Sequence, residues 1–160
     1  MKAFDLSTYI ISYSDAKGDL VTNKKLQKLM YYVEAWNLVH LDSLISEDFQ
    51  AWVHGPVVPE VYHQYKNFVY SPVIIDYNGK HASHFNDAIA EQNDVKDDKR
   101  ELIDTVIYKY GALSSFQLEM LSHSEKPWLV ARKGLEPTQP SDAVIDKQLM
   151  REFYKSLLDK

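Results

Sequence analysis

The chain contains no cysteine, which removes disulfides and thiolate metal sites from consideration and suits a reducing compartment. No apolar run approaches the roughly 18 residues that a membrane-spanning helix needs. Met1-Lys2-Ala3-Phe4-Asp5 also lacks the apolar centre of a secretory leader, so a cytoplasmic location away from membranes is expected. There is no basic excess: 18 Lys and Arg stand against 23 Asp and Glu, a net charge of −5. That balance argues against a general nucleic-acid binder, which shows a basic stripe. The five glycines form neither G-x-G-x-x-G nor a Walker motif, and no serine sits in a G-x-S-x-G elbow. Common nucleotide-binding and serine-hydrolase signatures are thereby excluded, and no cofactor is expected.

What is present is helical spacing. A 160-residue chain, 45% hydrophobic, suits one domain over residues 1–160 with a real core. Phe4, Leu6, Tyr9, Ile10 and Tyr13 predict an amphipathic helix ending near Gly18. Thr22 is placed to cap a second helix running to about Leu41, with the stripe Leu26, Leu29, Met30, Val33, Trp36, Asn37 and His40. Its other side is apolar too, through Tyr31, Tyr32, Ala35, Leu38 and Val39. A helix central to the core is favoured over one covered by a partner.

Phe49–Val53 reads as an extended segment feeding the corner Ala51-Trp52-Val53-His54-Gly55-Pro56-Val57-Val58-Pro59-Glu60-Val61-Tyr62. Pro59 suits a first helical position, with Glu60 beside the positive end of the helix dipole. Val73–Tyr77 is β-rich and precedes the turn dipeptide Asn78-Gly79, although Lys80–His84 marks a return strand poorly. Asp94–Arg100 reads as the solvated start of a helix striped by Leu102, Ile103, Val106, Ile107 and Tyr110 and stopped at Gly111. Ser114 and Gln117 match a capping box. Pro127 opens a further helix closed by Gly134. Ser141 or Asp142 is expected to cap a last helix carrying Ile145, Leu149, Phe153 and Leu157. The expected fold is mainly α, a single compact domain of about six to seven helices with a minor β element near residues 49–53 and 73–77.

Among His40, His54, His63, His81, His84 and His123, only His81 and His84 have a ligand-like spacing, and no HExxH helix accompanies them. Two exposed loop histidines are the simpler reading. His54 fits a turn-locking bond to a backbone carbonyl better than catalysis. Glu34, Asp48 and Glu60 are read as surface or helix-terminus charges, because nothing in the sequence brings two carboxylates together. Lys24, Lys25 and Lys28 make a small basic patch. A solvated helix start is favoured over nucleic-acid contact, while a protein partner suits it equally well. Eleven tyrosines and three tryptophans suit core filling and a protein-binding surface alike.

Three segments carry a family resemblance. Thr22-Asn23-Lys24-Lys25-Leu26-Gln27-Lys28-Leu29-Met30-Tyr31-Tyr32, followed by Trp36, resembles the opening helix of the Panacea domain, the SocA-like or phage-associated GepA-like antitoxin family. The corner from Ala51 to Tyr62 resembles its hallmark, a tryptophan followed by an aromatic or histidine and Gly-Pro-Val. Tyr110-Gly111-Ala112-Leu113-Ser114, Leu118 and Leu121-Ser122-His123-Ser124-Glu125-Lys126-Pro127-Trp128 are similar to its later block, which commonly has Thr-His where Ser122-His123 stands. The likeness runs over roughly residues 5–155.

The resemblance implies a mostly helical antitoxin that neutralises a toxin encoded nearby through direct protein contact, without catalysis. In one branch it also implies delivery of the toxin to a AAA+ protease. Some members carry an added DNA-binding domain. A chain of 160 residues is not expected to hold one, so operator binding is not expected, and self-association stays open. Trp36, Trp52, Gly55, Pro56, Val57, Pro59, His123, Pro127 and Trp128 are assigned to the scaffold, and Lys25, Lys28, Tyr32, His54 and Tyr62 to partner contact. No residue is assigned to catalysis or metal. On this assignment Tyr32→Ala or Lys28→Glu weakens neutralisation without unfolding the domain. The rival readings are a phage-associated proteolytic adaptor and a small metal-assisted hydrolase using some of His54, His63, His81, His84 and His123.

Overall fold

A computed structural model describes residues 1–159. Its axis is α2 (Asn23–His40), buried along both of its apolar sides. The Thr22 hydroxyl accepts from Lys25 N at 3.3 Å and starts the helix. Around it pack α1 (Ala3–Ala16), α5 (Asp97–Gly111), α6 (Ser115–His123) and α8 (Lys147–Leu158). The remaining helices are α3 (Pro59–Tyr65), α4 (Ala82–Gln92) and α7 (Lys126–Ala131), with α4 against α1. The mainly α reading holds: eight α-helices and one two-stranded sheet occur among the described residues.

Because α2 is central, its polar side chains must find partners away from water. Glu34, fully buried, accepts from Leu44 N at 2.9 Å and Ile45 N at 2.8 Å, with Lys147 Nζ 3.7 Å away. It clamps the chain that leaves the helix and is not the surface charge expected. Tyr32 is fully buried as well, donating to Glu125 Oε1 at 2.6 Å and stacking on Tyr110 at 4.1 Å between centroids. Tyr154 donates to the same carboxylate oxygen at 2.9 Å. Burial raises the Glu125 carboxyl's pKa, and the two phenols only partly offset that rise. The aromatic load here fills core; Tyr32 presents nothing to a partner, which corrects its assignment to partner contact.

The structure departs from the expected elements in four further places. The sheet pairs β1 (Gln50–Trp52) with β2 (Gly55–Val57), so the Gly-Pro corner is itself a hairpin. Residues 73–77 form no strand; Val73 N donates to Val21 O at 2.8 Å, and Pro72 makes an isolated bridge to Thr22. The stretch 82–92 is helical, not a return strand. Phe85, Asn86, Ile89 and Ala90 give α4 a buried face, and this extra helix brings the total to eight. The last helix starts later than expected, at Lys147, capped by Asp146, whose carboxylate accepts from Gln148 N at 2.7 Å and Leu149 N at 3.3 Å. Ile145 precedes it, buried, with its N–H on Phe49 O at 2.8 Å.

Replacing Tyr32 with Ala deletes a buried ring and strips Glu125 of a donor. The expected loss is about 3–5 kcal/mol of folding free energy, read as a lower midpoint in urea unfolding.

Candidate functional site

The hairpin's register places Trp52 opposite Gly55, with Val53 and His54 as the connection. Gly55 takes φ +112°, closed to other residues without strain. Space gives a second, independent requirement. A Cβ at this position would lie 2.5 Å from Lys28 Cε, 3.2 Å from Lys28 Cδ and 3.0 Å from Ser122 Oγ. The Lys28 side chain passes directly beneath the turn, and only glycine leaves it room.

The hairpin is held from several sides by side chains bonded to backbone. Gln27 Oε1 accepts from Val58 N at 3.0 Å, and Asn23 Nδ2 donates to Tyr62 O at 3.0 Å. From α7, Trp128 Nε1 donates to Trp52 O at 2.9 Å. The buried Arg132, just past that helix, sends Nη1 to Ala51 O at 2.9 Å. On β1's free edge, Ala51 N donates to Ala143 O at 2.8 Å. Pro56, Val57, Pro127 and Trp128 are buried, Pro59 is the first residue of α3, and Trp36 donates to the Tyr110 hydroxyl at 2.8 Å. His123 stacks on Trp128 at 4.0 Å, and burial lowers its imidazole's pKa.

Between this hairpin, the start of α2 and two loops lies a groove of about 940 Å³. Asn23, Lys24, Gln27 and Lys28 line it from α2, with Trp52, Val53 and His54 from the hairpin. Tyr62, Lys66, Val69, Tyr70 and residues 140–142 complete the wall. Such a preformed concave surface with convergent polar groups is the usual form of a binding site.

Within it the three lysines of α2's first turns separate. Lys24 forms an ion pair with Glu119 Oε1, and His54 Nδ1 lies 3.3 Å from Glu119 Oε2. Burial alone would raise the Glu119 carboxyl's pKa; Lys24 and His54 outweigh burial and lower it. Lys25 Nζ donates to Gly111 O at 2.7 Å, capping the end of α5. Lys28 is 1% exposed. Burial drives its pKa down to about 7; Lys24 adds to the fall and Glu119 opposes it.

The expected solvated patch therefore does not exist. Lys28 is a floor residue, and Lys25 is committed to a helix terminus, so neither is the free surface contact assigned. His54 is exposed and bonds no backbone carbonyl; its neighbour is Glu119. Tyr62 is half-buried on the groove wall beside the Trp52 ring, 5.0 Å between centroids. The groove was missed in sequence because its rim residues, Val69 and Tyr70, belong to no periodic element. Among the described residues no three His, Asp or Glu side chains gather to hold a metal.

Two consequences are measurable. Unfolded Lys28 titrates near 10.5 and the folded residue near 7, so above pH 7 the unfolded state binds more protons. Stability therefore rises with pH between 7 and 9, with a slope approaching about 1.4 kcal/mol per pH unit. Urea midpoints across that range should climb in the native protein and flatten in Lys28→Met. Separately, Gly55→Ala is expected to cost roughly 2–4 kcal/mol. Lys28→Ala in the same chain should recover the part of the clash that comes from Lys28 but neither the contact with Ser122 nor the φ strain, a coupling read from a double-mutant cycle.

A family model described as Antitoxin SocA-like, Panacea domain, matches residues 26–129, more than half of the chain. The matched span takes in Lys28, the hairpin, α6 and Trp128. No curated protein and no solved structure matches the chain.

Proposed function

This chain belongs to the SocA-like antitoxin family defined by the Panacea domain, and from that membership we propose that it neutralises a partner toxin by direct protein contact at the groove beside the hairpin. Membership carries the proposal, and the groove's rim supports its location. Tyr70 is 91% exposed and Val69 is 64% exposed, at the mouth of a concavity already floored by polar side chains. Val69 also holds φ +55° with ψ −110°, a strained setting for a β-branched residue. Backbone strain of this kind concentrates at ligand clamps and switch regions. Aromatic side chains such as Tyr70 are enriched at protein interfaces, where they serve as anchors.

On this reading the protein is a binding module in the cytoplasm. Its partner is the product of a neighbouring gene, and inhibition comes from covering that product's working surface. No catalytic step is assigned to any residue.

Co-expression tests it. The neighbouring reading frame should arrest growth alone and be harmless alongside this chain, with the two proteins co-purifying. Tyr70→Glu should abolish rescue while its melting temperature stays within about a degree of the parent, since so exposed a side chain contributes little to folding. A neighbour that is harmless alone sinks the proposal. A toxin whose half-life, and not its activity, depends on this chain would mark a delivery adaptor instead.

A further inference from the structure

Lys28 is a costly residue to keep. A buried ammonium without a counter-ion loses hydration that nothing in the protein replaces. Among the described residues its Nζ has no hydrogen-bond acceptor. The nearest carboxylate, Glu119, is already engaged by Lys24 and His54. The backbone above is shaped around the lysine's stem, since Gly55 exists in a form that any Cβ would close. An unpaired cation nine-tenths buried on the floor of an open groove is a seat awaiting an anion.

The groove also selects among anions. A phosphate dianion calls for several cations or a nest of backbone N–H groups. Here Lys24 is neutralised by Glu119, and Asp142 adds a negative charge to the wall. Lys66 on the wall is offset by Asp142, so the one charge left over, that of the Lys28 ammonium, matches one carboxylate. The Trp52, Tyr62 and Tyr70 rings lining the same groove suit the apolar stem and neighbours of a peptide segment. We infer that the groove receives an acidic side chain of the partner protein, its carboxylate paired with the Lys28 ammonium beneath the Gly55 turn. This inference rests on the antitoxin reading and specifies the chemistry of its contact.

A proton signature follows. The charged and titratable groups around Lys28 are Lys24 on α2, Glu119 and His123 on α6, His54 on the hairpin, Lys66 after α3 and Asp142 ahead of α8. In the free protein Lys28 is half protonated near pH 7, whereas the complex requires the charged form. Binding therefore takes up a proton, and affinity falls as pH rises above 7, approaching about tenfold per pH unit.

The probe is the toxin encoded beside this chain, titrated by calorimetry into the full-length protein at pH 6.5, 7.5 and 8.5. Native protein should show the fall in affinity. Lys28→Met should bind about 30-fold more weakly or worse at pH 6.5, because the partner's carboxylate is then buried unpaired, and should lose the pH slope. The same variant should melt higher than the parent at pH 6.5, which separates lost contact from lost fold. His54→Gln should retain the slope. Equal affinity in Lys28→Met, a flat native profile, or a slope that survives in Lys28→Met would each overturn the carboxylate seat while leaving the antitoxin reading in place. Absence of any toxin binding by native protein would remove both. Lys28-dependent self-association of the chain alone, or Lys28-dependent retention of a single-stranded oligonucleotide, would give the seat to a second copy or to phosphate and overturn the proposal.

Discussion

The structure depends on the burial of α2 along most of its length. A helix that is apolar on two sides contributes hydrophobic stabilisation from every direction, but its polar side chains are then taken out of water. Most of them need a partner, and several of the partners are backbone groups outside α2. Glu34 holds residues 44 and 45, Gln27 holds Val58, and Asn23 holds Tyr62. The central helix thus fixes the irregular chain around it. Desolvation makes these bonds costly to lose, so the loops gain the rigidity of the core.

Two buried polar groups on that helix lack a bonded partner, Asn37 Oδ1 and the Lys28 ammonium, and of the two residues it is Lys28 that lines the groove. The hairpin meets it at the closest approach, where Gly55 satisfies a positive φ and an absent Cβ at once. The φ of +112° lies outside the left-handed helical region that asparagine visits, and the 2.5 Å approach to Lys28 Cε excludes a Cβ as well. The Gly-Pro-Val corner is therefore both a brace and one wall of a groove. Its bracing comes from Trp128 and Arg132, which bond to Trp52 O and Ala51 O, while its exposed His54 faces the groove.

The helices were legible wherever burial followed the 3.6-residue period and a cap marked the start, as for Thr22, Pro59 and Ser114. Helix α4 was hidden because its buried face is short and mixes Asn86 with Phe85, Ile89 and Ala90, and because Asn78-Gly79 points to a hairpin. Asp146 was passed over as a cap because Ile145 continues the four-residue spacing of α8; its burial comes instead from backbone pairing with Phe49. The site was less legible than the fold. Three lysines within five positions look alike in sequence, yet one pairs with Glu119, one caps α5 and one is buried. Those fates are decided by α5, α6 and the hairpin, which are distant in the chain. The buried state of Tyr32 depends likewise on Glu125 and Tyr154, which sequence spacing cannot bring together.

Floor and rim of the groove are built from different materials. The floor belongs to a helix locked in the core, so the geometry of Lys28 and Gln27 is fixed before any partner arrives. The rim comes from the strained turn at Val69 and the segment 140–142, neither of which belongs to a helix or strand. Binding residues on irregular chain held by a rigid scaffold are a common division of labour in recognition. Preorganisation of such a floor reduces the ordering cost of association, and under the proposed function the exposed rim is the part that sets which surface fits. The buried ammonium lowers the stability of the free protein near neutral pH, and a partner able to neutralise it would return that stability on binding. A destabilised group kept at an open site is the trade-off expected where binding, and not folding, determines the residue.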